Sequence, residues 1–280
     1  MTAMPRLKGP LVLLGAGRMG QAMLNGWLKA RLPPRQIIVI DPAPAPALSA
    51  LAEETGLTLN PPPEALGGAQ VLVAAVKPQV MDEAISAIAP ALGKQVPLIL
   101  SIAAGRTIAS FKAHFGPGSP VIRAMPNTPA AIGEGITALA ASPEVTADQR
   151  ELARALLSAL GEVVEVETEE MIDVVTAVSG SGPAYVFLLA ECMAAAGASL
   201  GLPPQLAERL ARATIAGSGA LLARSDEPPA ALREAVTSPG GTTAAALRVL
   251  MKEQGPTLCD LMEEAITAAA TRSRQLACGK

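Results

Sequence analysis

Aromatic residues are almost missing from this 280-residue chain, which has one Trp, one Tyr and three Phe. Half of the residues are nevertheless apolar, and alanine makes up much of that share, so helices packed closely through small side chains are expected. Histidine occurs once. His114 lies in a charged helical stretch away from every strand end, so no histidine-based nucleophile or metal site is expected. Cys192, Cys259 and Cys278 are an odd number without metal-ligand spacing, and read as buried or surface thiols in a reducing compartment. No basic cluster is present, and a net charge of −3 leaves no electrostatic footprint for nucleic acid. No separate apolar segment stands before the first apolar run, which leads straight into a glycine-rich turn. The most hydrophobic stretch, residues 182–202, contains Glu191 and many small residues and reads as a buried helix. A soluble cytoplasmic protein is the expectation.

What the sequence does contain begins at Leu11-Val12-Leu13-Leu14, a short apolar strand running into Gly15-Ala16-Gly17-Arg18-Met19-Gly20 and then a helix-forming segment. In a strand–turn–helix context the G-x-G-x-x-G pattern reads as a dinucleotide-binding turn. The first glycine permits the tight turn, the second admits a pyrophosphate against the backbone, and the third lets helix and strand pack closely. The diphosphate then lies on free amides at the helix N-terminus. A second strand, residues 36–41, ends in Asp41, placed where a carboxylate would accept hydrogen bonds from the adenosine ribose and repel a 2′-phosphate. An Asp-Pro turn capping the next helix fits Asp41 equally well. The Ala43-Pro44-Ala45-Pro46 loop that follows supplies no cation for a 2′-phosphate.

Residues 71–76 and 98–102 are continuous apolar runs, as expected of parallel strands covered on both faces. Ligands in open α/β sheets lie beyond the carboxyl ends of such strands. Lys77-Pro78 and Ala103-Ala104-Gly105 should therefore border the cofactor, with Lys77 facing phosphate, ribose or substrate, or simply solvent. Residues 120–129 read as a strand entering a proline-bracketed turn in which Asn127 and Thr128 bond their neighbours. A strand over 135–141, a helix over 146–160 and an alternating edge strand over 162–167 complete this half. From Thr168 the strand pattern stops. Helices are expected over 171–179, 183–200 with Gly201 closing it, 203–224, a short one from Asp226 and Pro228-Pro229, 243–253 and 257–276. Two glycine-rich loops open helices here, Ser179-Gly180-Ser181-Gly182-Pro183 and Ser238-Pro239-Gly240-Gly241-Thr242-Thr243. Each is suited to bind an anion such as a carboxylate or, alternatively, to cap its helix. The surface of so hydrophobic a helical half suggests burial against a partner subunit.

Taken together, these residues resemble the Δ1-pyrroline-5-carboxylate reductases. The likeness runs in family order through Gly15 to Gly20, Ala75-Val76-Lys77-Pro78, Ser101 to Gly105, Arg123 to Pro129, Val178 to Phe187 and Ser238 to Thr243, nearly the whole chain. The resemblance implies an α/β Rossmann-like N-terminal domain over 1–167 and an all-α C-terminal dimerisation domain over 168–280, interlocked with a second copy in dimers that the family often assembles into rings such as decamers. It implies NAD(P)H-dependent reduction of the C=N bond of 1-pyrroline-5-carboxylate to L-proline. The family's cofactor contacts fall on Gly15, Ala16, Gly17, Arg18, Met19, Gly20, Val76, Lys77, Pro78 and Ala103, with Asp41 added at the ribose. Its substrate loop falls on Ser238, Gly240, Gly241, Thr242 and Thr243, with Thr243 the hydroxyl expected at the imine nitrogen. The family mostly uses NADPH; Asp41 and its proline-alanine loop depart from that pattern, so NADH is an equal expectation. No metal is implied.

Three other readings compete. A β-hydroxyacid dehydrogenase of the same plan predicts a catalytic lysine in the long helix, where Tyr185 stands at the corresponding place and no lysine occurs between Gly182 and Leu202. A nucleotide sensor without catalysis has no use for the Gly240–Thr243 loop. A purely structural helical oligomer leaves the nucleotide half unexplained.

Overall fold

The structure, a computed structural model, describes Met4 and residues 7–93, 95–252 and 255–277. Cys278 and the end of the helix expected to reach Glu253 lie outside the described residues. The first half alternates strand and helix: β1 (Leu11–Leu14), α1 (Arg18–Lys29), β2 (Ile37–Ile40), α2 (Pro46–Thr55), β3 (Thr58–Leu59), β4 (Val71–Ala74), α3 (Met81–Ile88), β5 (Leu98–Ser101) and α4 (Ile108–Phe115). It closes with β6 (Val121–Pro126), β7 (Gly135–Ala141), α5 (Ala147–Leu157) and β8 (Gly161–Glu165). The strands form one sheet in the order β3-β2-β1-β4-β5-β6-β7-β8, parallel throughout except where β7 runs against β6. The order reverses between β1 and β4, which makes their carboxyl ends the switch point at which doubly wound sheets take ligands.

Local chemistry explains these elements. Every residue of β1, β4 and β5 is buried, as their unbroken aliphatic runs require of strands covered on both faces. One apolar cluster packs Met23, Leu24 and Trp27 of α1 with Leu156 of α5 on one face; another packs Ile85 of α3 and Phe111 of α4 on the other. Trp27, fully buried, donates its indole N–H to the Leu156 carbonyl at 2.9 Å. Helix α5 starts with a capping box in which Thr146 and Gln149 satisfy each other's backbone N–H groups.

The helical elements are α6 (Met171–Val175), a π-helical turn (Thr176–Gly180), α7 (Gly182–Ser199), α8 (Pro204–Arg224), α9 (Pro229–Ala235), α10 (Thr242–Leu250) and α11 (Leu258–Ala277). They fall close to the expected spans, and Gly201, at φ +101°, ends α7 in the left-handed conformation that suits glycine. By compactness the described residues up to Gly180 form one unit, which residues 269–277 join, and residues 181–268 form the other. The cause is a buried polar cluster within that unit. Arg123 of β6, 3% exposed, reaches Asp173 of α6 at 3.1 Å and Glu169 at 3.2 Å, and Ser273 of α11 donates to Asp173 at 2.7 Å.

In the second unit α7 and α8 pack along each other through small residues: a Cβ on Gly197 would sit 3.4 Å from that of Ala207. One expectation fails here. Helix α7 contains no buried residue in this chain, although its composition suggested a buried helix. Within Met171–Ser199 an 18-residue stretch has a mean hydropathy of 1.4, long and apolar enough, by length and composition, to cross a membrane. Its apolar side chains point all round the helix, and a single neighbour, α8, cannot cover them all.

Candidate active site

The glycine turn after β1 brings backbone close to backbone and leaves one face open. Gly15 adopts φ +92°, and a Cβ there would meet Val76 Cγ1 at 2.6 Å, so β1 turns into α1 directly against the end of β4. A Cβ on Gly20 would collide with the Gly15 carbonyl oxygen. Gly17 differs: no atom lies within 4 Å of its Cβ position. Gly17 is also the N-cap of α1 and no side chain caps that helix. The turn therefore presents open space over a helix N-terminus without a side-chain acceptor, which fits a dinucleotide diphosphate. Arg18 is exposed on the first turn, Met19 is half-buried, and Gly20 is buried beneath them.

Asp41 follows β2 directly, half-buried. Its Oδ2 accepts from the Ala16 N–H at 2.9 Å and its Oδ1 from the Ala43 N–H at 3.0 Å. The bond to Ala43 makes the Asp-Pro turn, and the bond to Ala16 ties the carboxylate to the glycine turn. On the other flank, β4 and β5 end side by side. Val76 and Pro78 are half-buried, Lys77 is exposed, and Ala103 is buried with its N–H on Ser101 Oγ at 3.3 Å. Asn127 turns inward, its Oδ1 accepting from Ile136 N–H at 3.0 Å, in keeping with a turn residue. His114 pairs with Asp82 on the surface, away from these strand ends, and among the described residues no group of His, Cys, Asp and Glu could hold a metal.

In the second unit the loop before α10 has the form of an anion-binding turn. Gly240 adopts φ +74° with no atom within 4 Å of its Cβ position. Gly241 is the N-cap of α10, its N–H donating to Ser238 O at 3.0 Å. Capping by hydroxyls, one reading of this loop, is not what it does: no side chain caps α10. Thr242 and Thr243 occupy the first two helical positions, Thr242 exposed and Thr243 half-buried. The other glycine-rich loop is different. Ser179 Oγ bonds back to the Val175 carbonyl at 3.1 Å, and Ser181 opens α7 without capping it.

A family model for pyrroline-5-carboxylate reductase dimerisation matches residues 169–276, and one for coenzyme F420-dependent NADP oxidoreductases matches residues 10–105. The pyrroline-5-carboxylate reductase of Pseudomonas aeruginosa is 42% identical over 267 residues, 95% of this chain and 96% of that protein; the Synechocystis enzyme is 41% identical over 268 residues. The chain belongs to the pyrroline-5-carboxylate reductase family. A solved pyrroline-5-carboxylate reductase from Coxiella burnetii superposes with a TM-score of 0.88 at 32% identity, over 97% of this chain and 99% of that one. One from Plasmodium falciparum, solved with NADP bound, superposes at 0.80 with 28% identity over 96% and 98%. As a pyrroline-5-carboxylate reductase the protein is an NAD(P)H-dependent oxidoreductase that converts 1-pyrroline-5-carboxylate to proline.

Two features of this reductase escaped the sequence reading. Asn60 brackets the backbone of Asp41 with both ends of its side-chain amide. Arg123, quoted only as part of a motif, is a buried cation with two carboxylate partners. Asn60 had a local signal only in its type, since asparagine takes a positive φ and a turn position more readily than most residues.

Proposed function

We propose that the glycine turn and the α10 loop divide the reaction's binding work. Gly15 to Gly20 would hold the dinucleotide diphosphate, Asp41 the adenosine ribose, and Val76, Lys77, Pro78 and Ala103 the flank of the cofactor beyond β4 and β5. When bound, the reduced nicotinamide supplies the hydride that adds to the C=N carbon. The amide of Gly240 and the hydroxyl of Thr242 hold the substrate carboxylate, with Gly241, whose N–H closes the turn onto Ser238 O, and Ser238 shaping the loop beneath them. The observation that carries this reading is the N-terminus of α10: two glycines, open space and no side-chain cap where an anion belongs.

The imine nitrogen ends the reaction as a protonated secondary amine. Thr243 orients it by a hydrogen bond; a threonine hydroxyl is too weak an acid to be the proton source. A substrate that binds as its iminium carries that proton already, and no strong acid is then needed. Orientation is the main contribution the side chains make, since the cofactor supplies the bond-forming pair.

The same reading covers α7 with a second copy of the chain. Val186, Phe187, Leu188, Leu189 and Met193 are exposed large apolar residues on one helix, within the span matched by the dimerisation model. Dimers, and decamers built from them, follow from the resemblance and are part of the proposal. The site of action is assigned to the cytoplasm, which keeps thiols such as the exposed Cys192 and Cys259 reduced.

The test is parallel oxidation of NADH and NADPH with 1-pyrroline-5-carboxylate, in the parent and in Thr243→Ala. The variant should lose about ten- to a hundredfold in kcat/KM, the value of one hydrogen bond to a charged group. Unchanged kinetics would remove Thr243 from the site.

A further inference from the structure

We propose that Asn60 is a specificity-positioning residue, which locks the Asp41 carboxylate in place and thereby makes this reductase select NADH over NADPH. The proposal rests on the reading that Asp41 faces the adenosine ribose.

The sheet makes Asn60 necessary. Strand β3 pairs with β2 through two residues only, Thr58 beside Ile38 and Leu59 beside Val39. Asn60 donates its own N–H to the Val39 carbonyl at 2.8 Å and then leaves the ladder in a left-handed conformation, φ +47°. Three prolines follow, and none can donate a backbone N–H. The backbone of Asp41, one residue beyond β2, is therefore left without a strand partner on that side. The Asn60 side chain takes the partner's place. Its Oδ1 accepts from Asp41 N–H at 2.8 Å and its Nδ2 donates to Asp41 C=O at 2.7 Å. A primary amide has the donor and acceptor of a peptide group side by side, so it replaces one missing rung of the sheet.

The consequence is a carboxylate with little freedom. Asn60 fixes the Asp41 backbone, Ala43 N–H holds Oδ1, and Ala16 N–H holds Oδ2. Each oxygen keeps an acceptor position for a ribose hydroxyl. A carboxylate free to swing aside could admit a 2′-phosphate; one held at three points meets it as a fixed like charge. The segment that follows, Pro42 to Ala52, a short loop and the first turns of α2, contains no Lys or Arg to offset that repulsion.

Calorimetry on the full chain with ADP-ribose and with its 2′-phosphorylated form reads this directly, without turnover. Three variants separate the links. Asp41→Ser removes the carboxylate, Asn60→Gly keeps the left-handed backbone and deletes the amide, and Asn60→Ser keeps a neutral polar side chain too short to span the N–H and C=O of Asp41. The parent should bind ADP-ribose at least about tenfold more tightly than the 2′-phosphate form, the size of one hydrogen bond to a charged group. Both Asn60 variants should shrink that ratio about three- to tenfold, and the KM for NADH should rise while kcat holds. A parent that binds both ligands equally, or a ratio unmoved in Asp41→Ser, overturns the ribose reading and the proposal with it. A ratio that moves in Asp41→Ser but in neither Asn60 variant overturns the role of Asn60 alone. Should Asn60→Gly fail to fold, Asn60→Ser decides.

Discussion

The two compact units keep their apolar residues in opposite ways. In the first, three strands are buried along their whole length and two aliphatic clusters cover both faces of the sheet. In the second, among the described residues only Ala207 and Ala211 are buried, while α7 exposes Phe187 at 60% and Leu188 at 58%. The contrast follows from composition. Long aliphatic runs at strand spacing enclose themselves once helices cover the sheet. Alanine-rich helices that are apolar on every side can hide only one stripe against each neighbour. The first unit therefore carries its own core, and the second leaves an apolar helix open, which the proposed second copy of the chain would cover.

The comparison breaks most visibly at α7. Leu188→Asp places a charge in the proposed interface, and a two-fold contact presents that charge twice. Burying an unpaired carboxylate costs several kcal/mol per copy. Light scattering should then give the mass of a single 28.4 kDa chain, with ADP-ribose still bound by the first unit. An assembly unchanged in mass would mean that α7 is covered by something else.

The first unit has its own point of failure, one that association cannot rescue. Arg123→Ala leaves Asp173 and Glu169 facing each other's charge with no cation between them, beneath a sheet that excludes water. Removing one partner of a buried ion pair costs about 3–5 kcal/mol. The urea midpoint should fall accordingly, independent of protein concentration. A midpoint that moves with concentration would place this cluster, too, under the control of the oligomer.

The glycine turn sharpens the comparison at the level of binding. Gly17→Val puts a side chain where no protein atom lies, so the melting temperature should hold. The same side chain fills the place of the diphosphate, and NADH affinity should fall by at least about a hundredfold, as two or more charge-assisted hydrogen bonds are lost. Gly20→Val, which collides with the Gly15 carbonyl, should lose fold and affinity together.

Legibility followed range along the chain. The turn from Gly15 to Gly20, the apolar strands and the Gly240-Gly241 loop are written in contiguous residues, because a phosphate or carboxylate held by backbone amides needs only a short local conformation. Strand β3 escaped because two residues, Thr58 and Leu59, carry no period. Asn60 acts on a residue 19 positions away and Ser273 on one 100 positions away, and neither pairing leaves a mark until the chain is folded. Burial of α7 was misjudged for a related reason. Hydrophobicity says that a helix will be covered, but not by which chain. The division at Gly180 was hidden too, since it depends on what Asp173 touches and not on where strands give way to helices.

The smallest effect lies on the rim of the first unit, where Lys112 Nζ sits 2.7 Å from Glu144 Oε2. That hydrogen bond, helped by one from Ser142, lowers the Glu144 pKa from 4.5 to about 2. A carboxyl with a lower pKa in the folded chain stabilises the fold above its unfolded value and loses that contribution as pH falls through the folded one. The window is therefore from about 4.5 down to about 2. Glu144→Gln should leave the neutral-pH urea midpoint nearly unmoved, since the pair is open to solvent and screened. Its acid limb should be shallower than the parent's across that window, because one group fewer takes up a proton on unfolding. Added salt should bring the two curves together. Parallel acid limbs at low salt would show that the pair contributes nothing to the stability of the first unit.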